Sequence, residues 1–489
     1  MKTCRPRIAK EINEMSARMI GRNKECKELK RTMEEGTAQL VIVIGRHKVG
    51  KTYLIDTFFQ KNYAFYMIGV QNFTKEETLS AFAMQLSKYS GRPCPKLENW
   101  FDAFWGLADY LDTCSMDEKL VVFFDEMPWM AEPASDFMKA LELFWGIYAE
   151  KHDNLVFIAC GSVTSWMTEK VFHNRGGLFR RCTCRLDVKP LRLGEVEELL
   201  QSRGIYLPRQ EIARGYMILG GIPEYWKHLD KEMSLSQNID KLFFSEGGVM
   251  RDEVLELYGV LSSRSDDYLS VVDQLGQKRS GLTQEELAKK VKLTGTDDLA
   301  RILKDLRLCG LVREAFVFGR SIDKPVYQLA DFYTAFYFHF VHGKVFARNF
   351  WGWSIHLPGR EAWEGLAFEL LCLDHEELIE RTLGIDILTY ASTWSTKGDA
   401  SKGMRGAQID LVLDSEDNTI NLCEIKFWND VHAISKDMED TLRRKMEAFR
   451  EATGTKKVLQ VVMITPYGVN TGANSIVSRQ VTLDDIFER

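Results

Sequence analysis

The sequence has no apolar run approaching the roughly 18–20 residues that a membrane-spanning helix requires. Its opening, MKTCRPRIAKEINEMSARMI, is charged throughout and lacks the apolar centre of a secretory signal. Low-complexity tracts and collagen-like repeats are absent. None of the ten cysteines forms a C-x-x-C pair, and Cys182 and Cys184 stand alone at strand-like spacing. These absences argue against a membrane span and a zinc site, and they predict a cytoplasmic chain with reduced core thiols. A basic excess is missing as well. With a net charge of −6, any nucleic-acid binding has to use local patches rather than the whole surface.

What is present is an ordinary globular composition over 489 residues, 45% apolar and 27% charged, long enough for several domains. Its strongest signal is QLVIVIGRHKVGKTYLIDTFF. Leu40 to Ile44 reads as a strand buried on both faces, and Leu54, Ile55, Phe58 and Phe59 fall at helical spacing. Between them, Gly45 to Thr52 matches G-x-x-x-x-G-K-[ST] in full, in the strand–loop–helix order that phosphate binding needs. The glycines let backbone N–H groups face phosphate oxygens, and the helix N-terminus adds partial positive charge. Gly45, Val49, Gly50, Lys51, Thr52 and Tyr53 are therefore the nucleotide-binding candidates. Lys51 would reach the β/γ-phosphates and Thr52 would hold Mg²⁺.

KLVVFFDEMPWM reads as a second buried strand ending in Asp125 and Glu126. Asp125 is the candidate Mg²⁺ partner, and Glu126 the group that polarises the attacking water. A third strand, NLVFIACGS, ends at Ser162, a candidate γ-phosphate sensor, with Thr164 also in reach; a structural turn is the alternative. Arg180 and Arg181 precede a further strand. Arg180 is the candidate for stabilising transition-state charge, in cis or from a neighbouring subunit of a homo-oligomer; a solvated pair explains the two arginines equally well.

Two further stretches carry a resemblance. MIGRNKECKELK resembles the G-R-x-x-E-x-x-x-L opening of AAA+-related, STAND-like P-loop ATPases of the archaeal ATPase family, and GGIPEYW resembles that family's G-G-x-P-x-Y motif. The resemblance spans roughly residues 19–260 and implies ATP as the nucleotide. It implies that Gly21 and Arg22 help enclose the base, and that Gly221 and Pro223 shape a turn near the nucleotide at the start of a helical lid. His47 departs from the family's usual run of arginines.

The stretch SGLTQEELAKKVKLTGTDDLARILKDLRLCGLVREAFVFG reads as helices capped at Thr283 and near Thr296, followed by a two-stranded wing. Together these read as a winged helix-turn-helix. Its second helix mixes Asp297, Asp298 and Asp305 with Arg301, Lys304 and Arg307, whereas DNA readers are more basic. Packing inside the protein and contact with DNA both remain open. The aromatic stretch YTAFYFHFVHGKVFARNFWGW reads as the core of a connecting helix, with a stacking surface for single strands as the alternative.

In IDLVLDSEDNTINLCEIKF, a turn at Glu416-Asp417-Asn418 places Asp410 directly opposite Glu424, with Lys426 on the same face as Glu424. Burying two carboxylates and an amine costs several kcal/mol per ion unless they pair or bind a metal. Asp410 and Glu424 are candidate ligands of one Mg²⁺, and Lys426 the group that orients water or stabilises charge at phosphorus. D-(x)₁₃-E-x-K closely resembles the PD-(D/E)xK nuclease superfamily over roughly residues 356–489, with Ile409 where proline is common. The resemblance implies a restriction-endonuclease-like fold and a further acid from a preceding helix, either Glu364 or Glu369; the Gly365-x-x-Phe-Glu369 pattern favours Glu369 as a metal ligand.

The expected architecture is thus α/β throughout. A leader (1–18) precedes a P-loop NTPase core (19–190), a helical lid (191–262), a winged helix-turn-helix (263–330), a connector (331–355) and a restriction-endonuclease-like domain (356–489). Three functions fit this order: an ATP-controlled nuclease, an ATP-driven switch that binds nucleic acid or protein without cutting, and a sensor that oligomerises when it meets a ligand.

Overall fold

The computed structural model describes residues 19–131, 135–162, 164–169, 178, 181–259, 261, 265–278, 280–293, 299–320, 324–344, 349–354, 357–398 and 406–488. The expectations for residues 1–18, Arg180, Thr296, Asp297 and Asp298, and for the side chain of Thr164, lie outside them. The chain divides into two compact units between Pro190 and Leu191.

The first unit is a three-layer α/β fold. After helix α1 (Asn23–Glu34) come β1 (Gln39–Ile44), α2 (Lys51–Phe59), β2 (Phe65–Ile68), α3 (Lys75–Ser90), α4 (Trp100–Leu111), β3 (Leu120–Asp125), α5 (Phe137–Ile147), β4 (Leu155–Gly161) and β5 (Cys184–Asp187). The strands form one parallel sheet in the order β2-β3-β4-β1-β5. Every residue of β1, β3 and β4 is buried, which explains their nearly continuous apolar sequence; parallel strands need crossovers, and helices then cover both faces. An aromatic core of Phe65, Phe82, Trp100, Phe104, Phe124, Phe137 and Phe157 fixes one helical layer to the sheet. The carboxyl ends of β1, β3 and β4 therefore deliver the glycine loop, Asp125 and Ser162 to one edge, where α/β sheets bind ligands.

The second unit opens with α6 (Leu193–Ser202), α7 (Arg209–Leu219) and α8 (Pro223–Lys227). Gly221 is obligatory in the turn before α8: a Cβ there would lie 1.9 Å from the Leu191 carbonyl oxygen. After further short helices at Leu235–Ile239, Asp240–Phe244 and Glu253–Gly259 come α9 (Ser265–Gln277), α10 (Gln284–Lys290), α11 (Leu299–Leu308) and the antiparallel pair β6 (Val312–Ala315) and β7 (Val326–Leu329). Thr283 caps α10 in a reciprocal box with Glu286, as its sequence predicts. The aromatic stretch after β7 is core in large part: Phe332, Tyr333, Phe336, Phe340 and Trp351 are all buried.

The chain ends with α12 (Pro358–Asp374), α13 (Glu376–Thr382), β8 (Thr389–Thr396), β9 (Ala407–Ser415), β10 (Thr419–Ile425), β11 (His432–Ala433), α14 (Lys436–Thr453), β12 (Val458–Ile464), β13 (Val469–Asn470) and β14 (Val477–Val481). The main sheet runs β14-β12-β10-β9-β8; β10 is parallel to β12 and antiparallel to β9. Strand β10 is thus central, and Phe449 of α14 packs with Val412, Ile420 and Leu422 on one side. On α12, Phe368 meets Phe427 at a ring separation of 5.0 Å.

Candidate nucleotide site and buried carboxylate pair

The glycine loop reaches its shape through residues with positive φ: Gly45 (151°), Lys48 (62°) and Gly50 (99°). A Cβ on Gly45 would lie 2.4 Å from the Val188 carbonyl oxygen, so the loop presses on the neighbouring chain. Gly50 caps the nine-residue α2, whose exposed N–H groups suit an anion. Arg22, buried, donates to the Val49 carbonyl at 2.9 Å and to Gly21 O at 3.2 Å. The Gly21-Arg22 opening thus braces the loop directly. Val49 is buried and Tyr53 is exposed.

Lys51 is only 4% exposed. Its amine donates to Gly45 O (3.0 Å), Arg46 O (3.0 Å) and Ser162 Oγ (2.9 Å). All three partners are neutral, so the ammonium lacks a direct counter-charge among the described residues. A buried cation in that state suits an incoming phosphate. Thr52 Oγ1 donates to Asp125 Oδ2 at 2.8 Å, which brings together two hard oxygens of the kind that could hold Mg²⁺. Burial raises the pKa of Asp125, Glu126 adds to that, and the hydrogen bond from Thr52 opposes it.

Glu126 sits in the left-handed region at φ 47°, a conformation that costs a non-glycine residue about 1–2 kcal/mol. The surroundings hold it there. Its N–H bonds Asp125 Oδ1 (3.0 Å), and its carboxylate receives Ser162 Oγ (2.5 Å) and Ser162 N (3.2 Å). A Cβ on Gly69 would lie 2.3 Å from the Glu126 carbonyl oxygen. Ser162 therefore links Lys51 to Glu126 through one hydroxyl. Arg181 pairs with Glu150 (2.8 Å), which gives it a structural partner.

In the second unit, the β9–β10 ladder pairs Leu413 with Asn421 and Leu411 with Cys423. Continued by one residue, that register sets Asp410 opposite Glu424. Asp410 is 8% exposed and Glu424 is 7% exposed. Lys426 Nζ lies 2.8 Å from Glu424 Oε1 and 3.7 Å from Asp410 Oδ2, and Asp410 Oδ2 accepts from Ile425 N at 3.1 Å. Burial, then Glu424, push the Asp410 pKa up against the pull of Lys426. For Lys426, burial alone would lower the pKa, but Glu424 and Asp410 outweigh it and the net shift is upward.

One partner escaped the sequence reading. Lys445 of α14 reaches Glu424 Oε2 at 2.6 Å, so each carboxylate oxygen of Glu424 holds an amine. Among the described residues no three His, Cys, Asp or Glu side chains cluster closely enough to hold a metal. Glu369 does contribute to the field on Lys426, but it does not join Asp410 and Glu424 in one three-acid cluster. Glu364 is taken by Arg360 (3.0 Å) and Arg214 (3.6 Å).

The helix α7 grips the exit of β10. Arg214 stands over the Phe427 ring (5.4 Å) and bonds Asn429 Oδ1 (2.6 Å), which Gln210 also reaches (3.0 Å). Arg209 binds Asp484 (2.7 Å) and covers Phe487. Pro223 starts α8 in this same unit.

Residues 19–229 match the family described as an ATPase domain predominantly from Archaea. The match runs from the Gly21-Arg22 opening through the glycine loop, Asp125 and Ser162 to Pro223, so the chain carries an ATP-binding P-loop domain. An uncharacterized protein of Methanocaldococcus jannaschii is 23% identical over 444 residues, which is 87% of this chain and 91% of that protein. Among solved structures, a Walker-type ATPase of Pyrococcus abyssi is similar at TM-score 0.48 and 17% identity, over 65% of this chain and 96% of that one. The ORC2 protein of Aeropyrum pernix, in complexes with ADPNP and ADP, is similar at TM-score 0.38 and 14% identity, over 77% of this chain and 96% of that one. Among the described residues no helix is long and apolar enough to cross a membrane.

Proposed function

We propose that the chain is an ATP-hydrolysing protein whose C-terminal α/β region is a PD-(D/E)xK nuclease-like domain acting on nucleic acid under ATP control. In this reading Lys51 and the loop N–H groups take the β/γ-phosphates, and Thr52 and Asp125 supply oxygens for Mg²⁺. Because one Ser162 hydroxyl bonds both Lys51 and Glu126, a γ-phosphate drawing on Lys51 or Ser162 frees the Glu126 carboxylate to orient water.

The observation that carries the nuclease half is the burial of Asp410 and Glu424 around one shared Lys426 amine. Hard oxygens of this kind suit Mg²⁺, which would act there as a Lewis acid on water and phosphoryl oxygen. In this reading Lys426 would orient the nucleophile or balance charge at phosphorus. Helices α9 to α11 with the β6–β7 pair form the winged helix of this reading. In α11, Asp305 is buried and accepts from Tyr268 (2.6 Å), and Ile302, Leu303 and Leu306 are buried too, which favours packing within the protein over reading a DNA groove.

A second reading, an ATP-driven switch that binds nucleic acid or protein without cutting, is favoured by the two amines already on Glu424. The deciding assay incubates the protein with single- and double-stranded DNA and RNA, with Mg²⁺ or Mn²⁺, with and without ATP. Metal-dependent cleavage lost in both D410A and K426A supports the nuclease; nucleic-acid binding without cleavage leaves the switch.

A further inference from the structure

We propose that the second unit contains a binding site for a small zwitterion with an apolar body, of the size of an aromatic α-amino acid. The site is a cavity of about 520 Å³ lined by β6, by the α12–α13 junction and by Arg192, and it shares no residue with the nucleotide loop or the Asp410–Glu424 pair. Its volume falls in the range of small-molecule sites.

Charge in this cavity is incompletely matched. Two arginine–carboxylate pairs satisfy each other: Arg192 with Glu377 (2.5 Å) and Arg307 with Glu314 (3.4 Å). Asp374 accepts from Tyr216 (3.3 Å). His375 accepts the Leu193 N–H at Nε2 (3.2 Å) while its Nδ1 meets the Leu371 carbonyl (3.0 Å), a pairing that suits the neutral ring, and burial lowers its pKa in the same sense. Arg313 and Glu376 remain. Arg313 gives its Nε to Gln328 Oε1 (3.0 Å), and neither it nor Glu376 takes part in an ion pair among the described residues. Burial lowers the pKa of Arg313 and raises that of Glu376; Asp374 first and then Glu376 act on Arg313 as opposite charges, and Arg313 acts on Glu376 in return. Two half-buried opposite charges facing one cavity without touching is an unfavourable arrangement for an empty site. A ligand resolves it by laying a carboxylate on the free terminal nitrogens of Arg313, the bidentate geometry guanidinium favours, and an ammonium on Glu376. Val312, Phe316, Leu370, Leu373 and Leu378 offer apolar contact for its body. This inference stands independently of the nuclease reading. A molecule held there would tie β6 to α12 and α13, as a sensor's ligand would.

The test is calorimetric and thermal titration of the full chain with phenylalanine, tryptophan and leucine. Phenethylamine and 3-phenylpropionate serve as probes lacking one charge. The expected result is a raised melting midpoint and saturable binding by at least one amino acid, weakened roughly tenfold or more in E376Q and R313M and in the analogue lacking either charge. Should R313M fail to fold, E376Q, which keeps the shape of the side chain, decides alone. Absence of binding by all three amino acids would overturn the proposal. So would equal binding by E376Q or by 3-phenylpropionate.

Discussion

Replacing Lys445 by methionine tests whether the Asp410–Glu424 pair can hold a divalent metal. The amine lies 2.6 Å from Glu424 Oε2, with the lysine side chain 20% exposed and the glutamate 9%. At an effective dielectric constant of about 20, unit charges at that distance attract by roughly 6 kcal/mol. Desolvation offsets most of this, and a hydrogen bond to a charged group contributes about 1.5–3 kcal/mol net. A divalent cation that takes Oε2 must displace the amine and lose that contribution. K445M removes the competitor, so Mn²⁺ should bind about ten- to a hundredfold more tightly, while the metal-free protein loses about 1–3 kcal/mol of stability. Mn²⁺ titration followed by electron paramagnetic resonance measures the first effect, and a denaturant melt the second. Unchanged or weaker Mn²⁺ binding in K445M refutes the reasoning. A gain that survives in the D410N K445M double variant refutes it too, because the metal would then sit elsewhere.

At the nucleotide site, K51A should abolish ATP binding, measured with a fluorescent nucleotide, while E126Q should bind ATP normally and turn it over at least about a hundredfold more slowly. The raised pKa of Asp125 means that its ionised, Mg²⁺-binding form is lost as pH falls through a value above that of an ordinary aspartate. Mg²⁺-dependent ATP binding should therefore fade on acidification sooner than Mg²⁺-free binding. The linkage to folding has the opposite sign: without Mg²⁺, the stability tied to protonated Asp125 is full below the ordinary aspartate value and declines as pH rises through the raised one. G69A should both lower the melting temperature and slow turnover, since its methyl group would drive Glu126 out of place; full activity in that variant would show that the left-handed setting of Glu126 does not matter.

The parts that sequence made legible are those governed by local spacing. The glycine loop is contiguous, and Lys51 and Thr52 directly follow its last glycine. The hairpin register follows from its turn, where Asn418 takes φ 66°, because strand pairing then fixes every later partner. Contacts set by packing were not legible in this way. Lys445 meets Glu424 only because α14 lies across the sheet at a particular rotation, and a helix offers several equivalent lysines and arginines along KDMEDTLRRK. The bridging role of Ser162 depends on how far β4 extends beside β3. Arg313 and Glu376 are 63 positions apart, and nothing periodic joins them. Glu364, one of the two acids the helix offered, turned out to be committed to Arg360 and Arg214.

The grip of α7 on the end of β10 bears on how this protein can be dissected. By family match the helix lies inside residues 19–229; by contact it shelters Phe427 and Phe487 and anchors Asn429 and Asp484. A truncation made where the sequence similarity stops would strip these aromatic rings of their cover and orphan two arginines. A C-terminal fragment that keeps these contacts therefore begins upstream of Arg209.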